Sequence, residues 1–335
     1  MTQSRRQFLG YMAGGAAALG LPLTTACPTV SISAAGEATP ASSGLAIVDT
    51  HQHLWDLVQV KPPWLKGAPE TLRQRHTTSE YLAATRGLNV VKAVYMEVDV
   101  APEDHVAEAE HVIQLCRSGQ HPTVAAVIGG RPAADEFAAY VNRFKTSPFV
   151  KGVRQVLHGG TKAGFCLEPA FVRGIRLLGE VGWSFDICLR PGDLCDGVKL
   201  VDLCPGTRFI VDHCGNADVQ AFGKTRGDKA PSHDPDVWRR DMQQFAKRAN
   251  VICKISGIVA GVSPNWTADD LSPIVTHCLD VFGPDRVVFG GDWPVCLRGA
   301  TYRQWVLALR EIVAPRPLAE QRQLWHDNAV RFYGL

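Results

Sequence analysis

Two histidines stand one residue apart at the end of a short apolar run, Ile47-Val48-Asp49-Thr50-His51-Gln52-His53-Leu54-Trp55. Side chains of an extended strand alternate faces, so residues 49, 51 and 53 are expected on one face, with both imidazoles aimed at one spot. Such a pair holds a divalent metal, or supplies protons and hydrogen bonds around a reacting carbonyl. Taken alone, it is equally compatible with one core histidine and one exposed histidine. Two later runs add to it. Phe209-Ile210-Val211-Asp212-His213-Cys214-Gly215 ends in an acid and an imidazole, and Phe289-Gly290-Gly291-Asp292-Trp293-Pro294 ends in a carboxylate. The glycines before Asp292 allow a sharp turn or a close approach to a ligand. A carboxylate there, facing His51, His53 and His213, could take a proton from water. Its structural alternative is a helix cap or an arginine partner.

For these residues to meet, the chain must bring strand ends together. β-Branched runs at 46–51, 90–97, 123–128, 149–156, 183–189, 207–213, 250–256 and 286–290 give eight expected strands. Helical patterns at 102–118, 133–145, 168–181, 234–249, 267–282 and 301–313 lie between them. Strands separated by helices pair in parallel through right-handed crossovers, and eight such units close into a (β/α)8 barrel. The rival is an open doubly wound sheet, but no glycine-rich phosphate fingerprint follows the first strand.

In such a barrel the active site forms at the carboxyl ends of the strands. Further candidates there are Glu97 and Asp99 on strand two, Lys151, Arg154 and His158 on strand four, and Lys254 on strand seven. Arg154 and Lys254 could grip substrate hydroxyls or a carboxylate, or close salt bridges inside the barrel. Glu97 could bind hydroxyls or orient a histidine. Trp55, Trp64, Trp266 and Trp293 offer flat surfaces for a sugar ring or packing for lids, with packing preferred for Trp55. The connection 214–236, with Lys224, Arg226, Asp228 and Lys229, is long enough to cover a site.

The first residues read differently. Ser4-Arg5-Arg6-Gln7-Phe8-Leu9-Gly10 precedes a small apolar stretch ending near Leu23, and no acidic residue occurs before Glu37. That is the pattern of a twin-arginine secretory leader over 1–27, with export to the periplasm or cell surface by that machinery. Thr24-Thr25-Ala26-Cys27 loosely matches a lipoprotein cleavage site with Cys27 as the lipidated residue. Residues 28–44, rich in Ser, Ala, Thr, Gly and Pro, read as a linker, and 45–335 as the folded domain. Without Arg5 and Arg6 the chain has 33 basic and 33 acidic residues. With no basic tract, a nucleic-acid partner is not expected. The ten cysteines form no CxxC pair and are expected mostly as free, buried thiols. A homo-oligomer is compatible with the sequence.

In order and spacing the motifs resemble the amidohydrolase superfamily, in the amidohydrolase-related branch that includes L-fuconolactonase and 2-pyrone-4,6-dicarboxylate lactonase. The matching pieces are Asp49-Thr-His51-Gln-His53-Leu-Trp55, Val150-Lys151-Gly152-Val153-Arg154 and Asp212-His213-Cys-Gly215. Lys254-Ile-Ser256-Gly257, Phe289-Gly-Gly-Asp292-Trp293-Pro294 and Asn328-Ala-Val-Arg331-Phe-Tyr333-Gly334 complete the set, so the resemblance covers about residues 45–335. It implies that Asp292 is the general base and that His51, His53 and His213 bind a metal or polarise a carbonyl. It implies also that Arg154, Lys254, Glu97, His158 and Trp293 contact a small lactone or sugar-acid substrate. Relatives often carry Gly-Lys-Pro where Gly215-Asn216-Ala217-Asp218 stands, and Ser where Gly291 stands. Metal-binding members take a strand-five histidine, whereas Trp183-Ser-Phe-Asp186-Ile-Cys188-Leu-Arg190 has none. The expectation is therefore no obligatory cofactor; otherwise His51, His53, His213 and Asp292 would hold one divalent metal, Zn2+ foremost. A zinc-dependent decarboxylase and a non-catalytic carbohydrate-binding barrel are the alternatives to lactone hydrolysis.

Overall fold

Residues 44–223 and 230–335 are described by a computed structural model of the chain. The leader, Cys27, nearly all of the linker, and Lys224, Arg226, Asp228 and Lys229 lie outside the described residues.

Eight short aliphatic runs pair in parallel and in sequence order: β1 (Ile47–Gln52), β2 (Val90–Met96), β3 (Thr123–Gly129), β4 (Val150–Val156), β5 (Ser184–Cys188), β6 (Arg208–Val211), β7 (Val251–Ile255) and β8 (Val287–Phe289). The first and last strands meet through Thr50 Oγ1 donating to Phe289 O at 2.6 Å, Asp292 N to His51 O at 2.8 Å and His53 N to Trp293 O at 2.8 Å. These bonds bring the ring to near closure and hold the segments bearing His51, His53 and Asp292 side by side. The architecture is the expected (β/α)8 barrel.

Side-chain alternation then divides the apolar residues into two layers. Val48, Val94, Met96, Ala125, Val127, Ile210, Ile252 and Val288 fill the barrel, joined by Ala329 and Tyr333 of the helix Asn328–Tyr333. That helix plugs the amino-terminal end, where Arg208 donates to Phe332 O and Lys151 to Gly334 O. A larger layer, including Ile47, Tyr95, Phe185 and Phe289, packs the strands against the outer helices.

Those helices span Thr78–Thr85, His105–Ser118, Phe137–Phe144, Pro169–Glu180, Leu194–Leu203, Pro235–Ala246, Ala268–Phe282 and Tyr302–Val313. Local sequence sets their starts. Asp234 accepts from Asp236 N at 2.7 Å and Val237 N at 3.1 Å ahead of Pro235, an N-cap followed by proline at the first helical position. Thr78–Thr85 and Leu194–Leu203 are not among the six helices read from periodicity. The first buries only Tyr81 and Thr85, and the second contains Gly197, which argues locally against helix. Packing decides the second case: a Cβ at Gly197 would lie 2.7 Å from the Phe245 ring and 2.9 Å from Leu189.

Two local expectations change. Asp49 does not share a face with His51, because the register slips between Asp49 and Gln52. Asp49 turns outward to Tyr81 and Tyr302 on the outer helices, at 2.9 and 3.0 Å, while His51 turns inward. Its carboxylate also accepts from His51 N at 3.0 Å and Gly291 N at 2.7 Å, so it ties β1 to the β8 end. A Cβ at Gly291 would sit 2.2 Å from Tyr302 and 2.6 Å from Asp49 Oδ2, leaving no space for serine there. Strand six, expected to 213, stops at Val211, since His213, Cys214, Gly215 and Asn216 all take left-handed φ values of 51–68°. The nine described cysteines are free thiols. Among the described residues no helix is long and apolar enough to cross a membrane.

Candidate active site

At the carboxyl ends of the strands a cavity of about 560 Å3 opens, bordered by His53, Arg154, His158, His213 and Asp292, with Trp64, Asp99, Asn216, Asp218 and Arg298 around them. Asp99, His213, Asn216 and Asp292 all have positive φ of 51–53°. Outside glycine this conformation costs about 1–2 kcal/mol per residue, and such strain concentrates at functional sites. Here it turns four polar side chains off the strand ends into one bowl. Gly257, at φ 72°, makes room for one of them: a Cβ on it would lie 2.2 Å from His213 Nδ1.

The charge arrangement at the centre follows from which atoms can donate. His53 Nδ1 lies 3.0 Å from Met96 O, which only accepts, so the proton belongs on that nitrogen and the Nδ1–H tautomer has its lone pair on Nε2. Arg154 Nη1, which only donates, stands 3.2 Å from His51 Nε2, so this nitrogen is an acceptor too. The two Nε2 atoms are nevertheless 3.1 Å apart. Asp292 Oδ1 stands 3.6 Å from the first and 3.4 Å from the second. Three acceptors thus face one point with no donor among them, an arrangement that a cation between them relieves. Ligands at zinc-like bond lengths and tetrahedral angles stand about 3.3 Å apart, so the triangle has the dimensions of a metal shell. Burial, with Lys254 nearby, holds His51 well below the usual imidazole range, keeping its ring neutral.

Of the four expected metal ligands, three converge. His213 is set aside from His53 and Asp292, grouping with His51 and Asp212 instead. Its Nδ1 is 3.0 Å from Ser256 Oγ, its ring centroid is 4.5 Å from that of His51, and it faces the cavity. Burial lowers its pKa as well.

The expected substrate-contact residues separate into two groups. Arg154 and His158 border the cavity, the first with its head held and the second exposed at the rim. Lys254, Glu97 and Trp293, expected to contact substrate, are not among the residues that line it. Lys254 is fully buried, with Nζ 2.7 Å from Asp186 Oδ2 and 2.9 Å from Asp212 Oδ1. Burial opposes its charge, but the two carboxylates more than offset that and raise its pKa. On the acid side, burial pushes Asp186 up to about 7, while at Asp212 Lys254 foremost, with His213 and Arg154, outweighs burial and brings it to about 2. Glu97 accepts from Arg154 Nε at 2.6 Å and from Asp99 N at 2.6 Å, so it orients the arginine rather than a ligand. Trp293 is 2 % exposed and packs edge-on against His76 and Tyr81. Trp64, by contrast, reaches the cavity and donates from Nε1 to Val98 O at 2.8 Å.

Asp186, Ser256 and Asn216 received no role from the sequence. The available signal was a polar residue inside or just after an apolar run, as in Ser184-Phe-Asp186-Ile-Cys188. Glu108 gave no such signal, since it sits on the helix His105–Ser118. It is buried behind Glu97, its Oε1 accepting from Tyr95 OH and Val98 N, both at 2.9 Å. Burial and Glu97 push it up to about 8 against an ordinary 4.5. Between those values the folded chain keeps a proton that the unfolded chain has lost, so stability falls as pH rises through the window from about 4.5 to about 8. Glu108→Gln retains both accepted bonds and removes this titration. Its melting temperature is expected to fall less than the wild type's between pH 5 and pH 8 in thermal scans; parallel curves would show that Glu108 is ionised in the fold.

The amidohydrolase family model matches residues 48–335. An L-fucono-1,5-lactonase of Burkholderia multivorans is 28% identical over 303 residues, covering 87% of this chain and 97% of that protein. An L-rhamnono-gamma-lactonase of Scheffersomyces stipitis is 22% identical over 231 residues, covering 62% and 66%. The crystal structure of a Burkholderia multivorans amidohydrolase with bound zinc superposes with a TM-score of 0.74 at 24% identity, over 87% of this chain and 99% of that one. A family match across the whole barrel, with polar residues gathered at the strand ends, means that this chain belongs to the amidohydrolase family of hydrolases.

Proposed function

We propose that the protein opens the cyclic ester of a small sugar-acid lactone or related carboxylated lactone. The observation that carries this reading is the triangle of His51 Nε2, His53 Nε2 and Asp292 Oδ1 at the edge of a cavity sized for a small molecule. Lactonases among the relatives support the reaction class. Asp292 takes a proton from water as that water attacks the lactone carbonyl, and returns it to the departing ring oxygen. His213, on the cavity wall and held through Nδ1 by Ser256, presents its other edge to the charge that grows on the carbonyl oxygen. Arg154, fixed by Glu97, keeps the His51 lone pair directed at the centre.

His51, His53 and Asp292 are the residues that would hold one divalent cation, and that ion would supply Lewis-acid polarisation of the carbonyl and a more acidic water. The sequence favours no obligatory metal; the three facing acceptors favour a held cation. Metal analysis of the purified protein, with proton release measured on a panel of aldonolactones before and after chelation, tests both points. About one equivalent of divalent metal, activity lost on chelation and activity recovered with zinc are expected. Failure of metal-replete protein to open any lactone in the panel would overturn the hydrolytic reading, and full activity after complete metal removal would overturn the cation. The leader-like pattern over 1–27 supports action in the periplasm or at the cell surface, after delivery by the twin-arginine machinery.

A further inference from the structure

Cys214, Cys253 and Cys278 come from three separate elements, the left-handed turn after β6, the strand β7 and the outer helix Ala268–Phe282. All three are fully buried, and their sulfurs lie within 4.8 Å of one another. The set is separate from the cavity, whose wall contains Cys188 but none of the three. Besides one another, Cys214 Sγ has Lys254 O at 3.8 Å and the Ser256 backbone as partners.

We propose that these three thiols form a binding site for one thiophilic monovalent d10 cation, with Cu(I) as its ligand class. Sulfurs around a three-coordinate ion at bond lengths of about 2.3 Å stand about 4 Å apart, which lies within the observed spread. Thiolate sulfur selects soft ions, and with no histidine or carboxylate in the set a hard oxygen-seeking cation has nothing to bind. Three sulfurs without a fourth ligand suit the low coordination number of Cu(I) better than a tetrahedral ion. Each cysteine that binds as thiolate releases its proton, and two thiolates on one Cu(I) leave a single net negative charge in the core. An occupied site would fasten the turn bearing His213 to β7 and to the helix outside it.

The test uses reduced full-length protein, kept under nitrogen and loaded with Cu(I) from a chromophoric copper chelator. One equivalent withdrawn from the chelator, a thiolate-to-copper charge-transfer band in the ultraviolet and a native mass increased by one copper are expected. Cys278→Ser, on the outer helix and away from the cavity, is expected to weaken Cu(I) retention by about 100-fold, the upper end of what losing even an outer-shell partner of a metal site costs. Cys278→Ala, matched to it by circular dichroism and thermal unfolding, separates loss of a ligand from loss of the fold. Wild-type protein that leaves all copper with the chelator overturns the proposal whatever the variants do. So does a folded Cys278→Ser or Cys278→Ala protein that holds copper as tightly as the wild type.

Discussion

Asp292→Asn is expected to lower kcat for lactone opening by about 10²–10⁴-fold while the barrel stays folded, since general-base catalysis contributes on that scale. Asparagine is nearly isosteric with aspartate. The backbone bonds that hold the position, Asp292 N to His51 O at 2.8 Å and Cys296 N to Asp292 O at 2.8 Å, do not involve the carboxylate. The side chain is 4 % exposed and ends against two imidazole acceptors, so what the change would remove is a base and an anionic ligand together. Steady-state assays with chemical rate and metal content measured on the same preparation distinguish the two losses. A variant whose metal content equals that of the wild type and that still turns over slowly has lost the base. Turnover equal to the wild type would remove Asp292 from the chemistry altogether.

Lys254→Met is expected to cost about 3–5 kcal/mol of stability, the range for removing one partner from a buried ion pair. The ammonium is fully buried between Asp186 and Asp212, and methionine fills similar volume without neutralising either carboxylate. Two acids would then face each other inside the barrel with Arg154, 3.4 Å from Asp212, as the nearest remaining cation. The loss should shrink as pH falls, because Asp186, already at about 7 beside the lysine, takes up a proton readily once the lysine is gone. Pairing Lys254→Met with Asp186→Asn should therefore recover part of the stability. Denaturant unfolding at pH 8 and pH 6 measures all three variants. An unchanged midpoint for Lys254→Met would mean that the charged cluster does not support the fold.

The fate of Lys254 shows where sequence reading stops. A lysine at the end of an apolar run in a barrel strand has the same appearance whether it grips substrate or binds carboxylates from neighbouring strands. The choice depends on Asp186 and Asp212, 68 and 42 residues away along the chain, and on strand register. Glu97 and Trp293 follow the same pattern: strand-end position was legible, but the direction of the side chain was not. Asp49 was misplaced for a related reason. Alternation is a rule for an unbroken strand, and the slip between Asp49 and Gln52 reverses it within two residues.

What the sequence determined by itself is the barrel and the identities of the residues at its mouth. Alternating strand and helix patterns admit few topologies, and polar residues ending apolar runs stand out against a background that burial keeps apolar. Tertiary structure alone decided which of them meet. His51, His53 and Asp292 converge because hydrogen bonds between the β1 and β8 ends bring their backbones alongside one another. His213 sits beside His51 but outside the triangle of ligand atoms, since a left-handed turn and the absent side chain of Gly257 direct its ring toward Ser256. Those positions are set by contacts between residues distant in the chain, which no local pattern encodes.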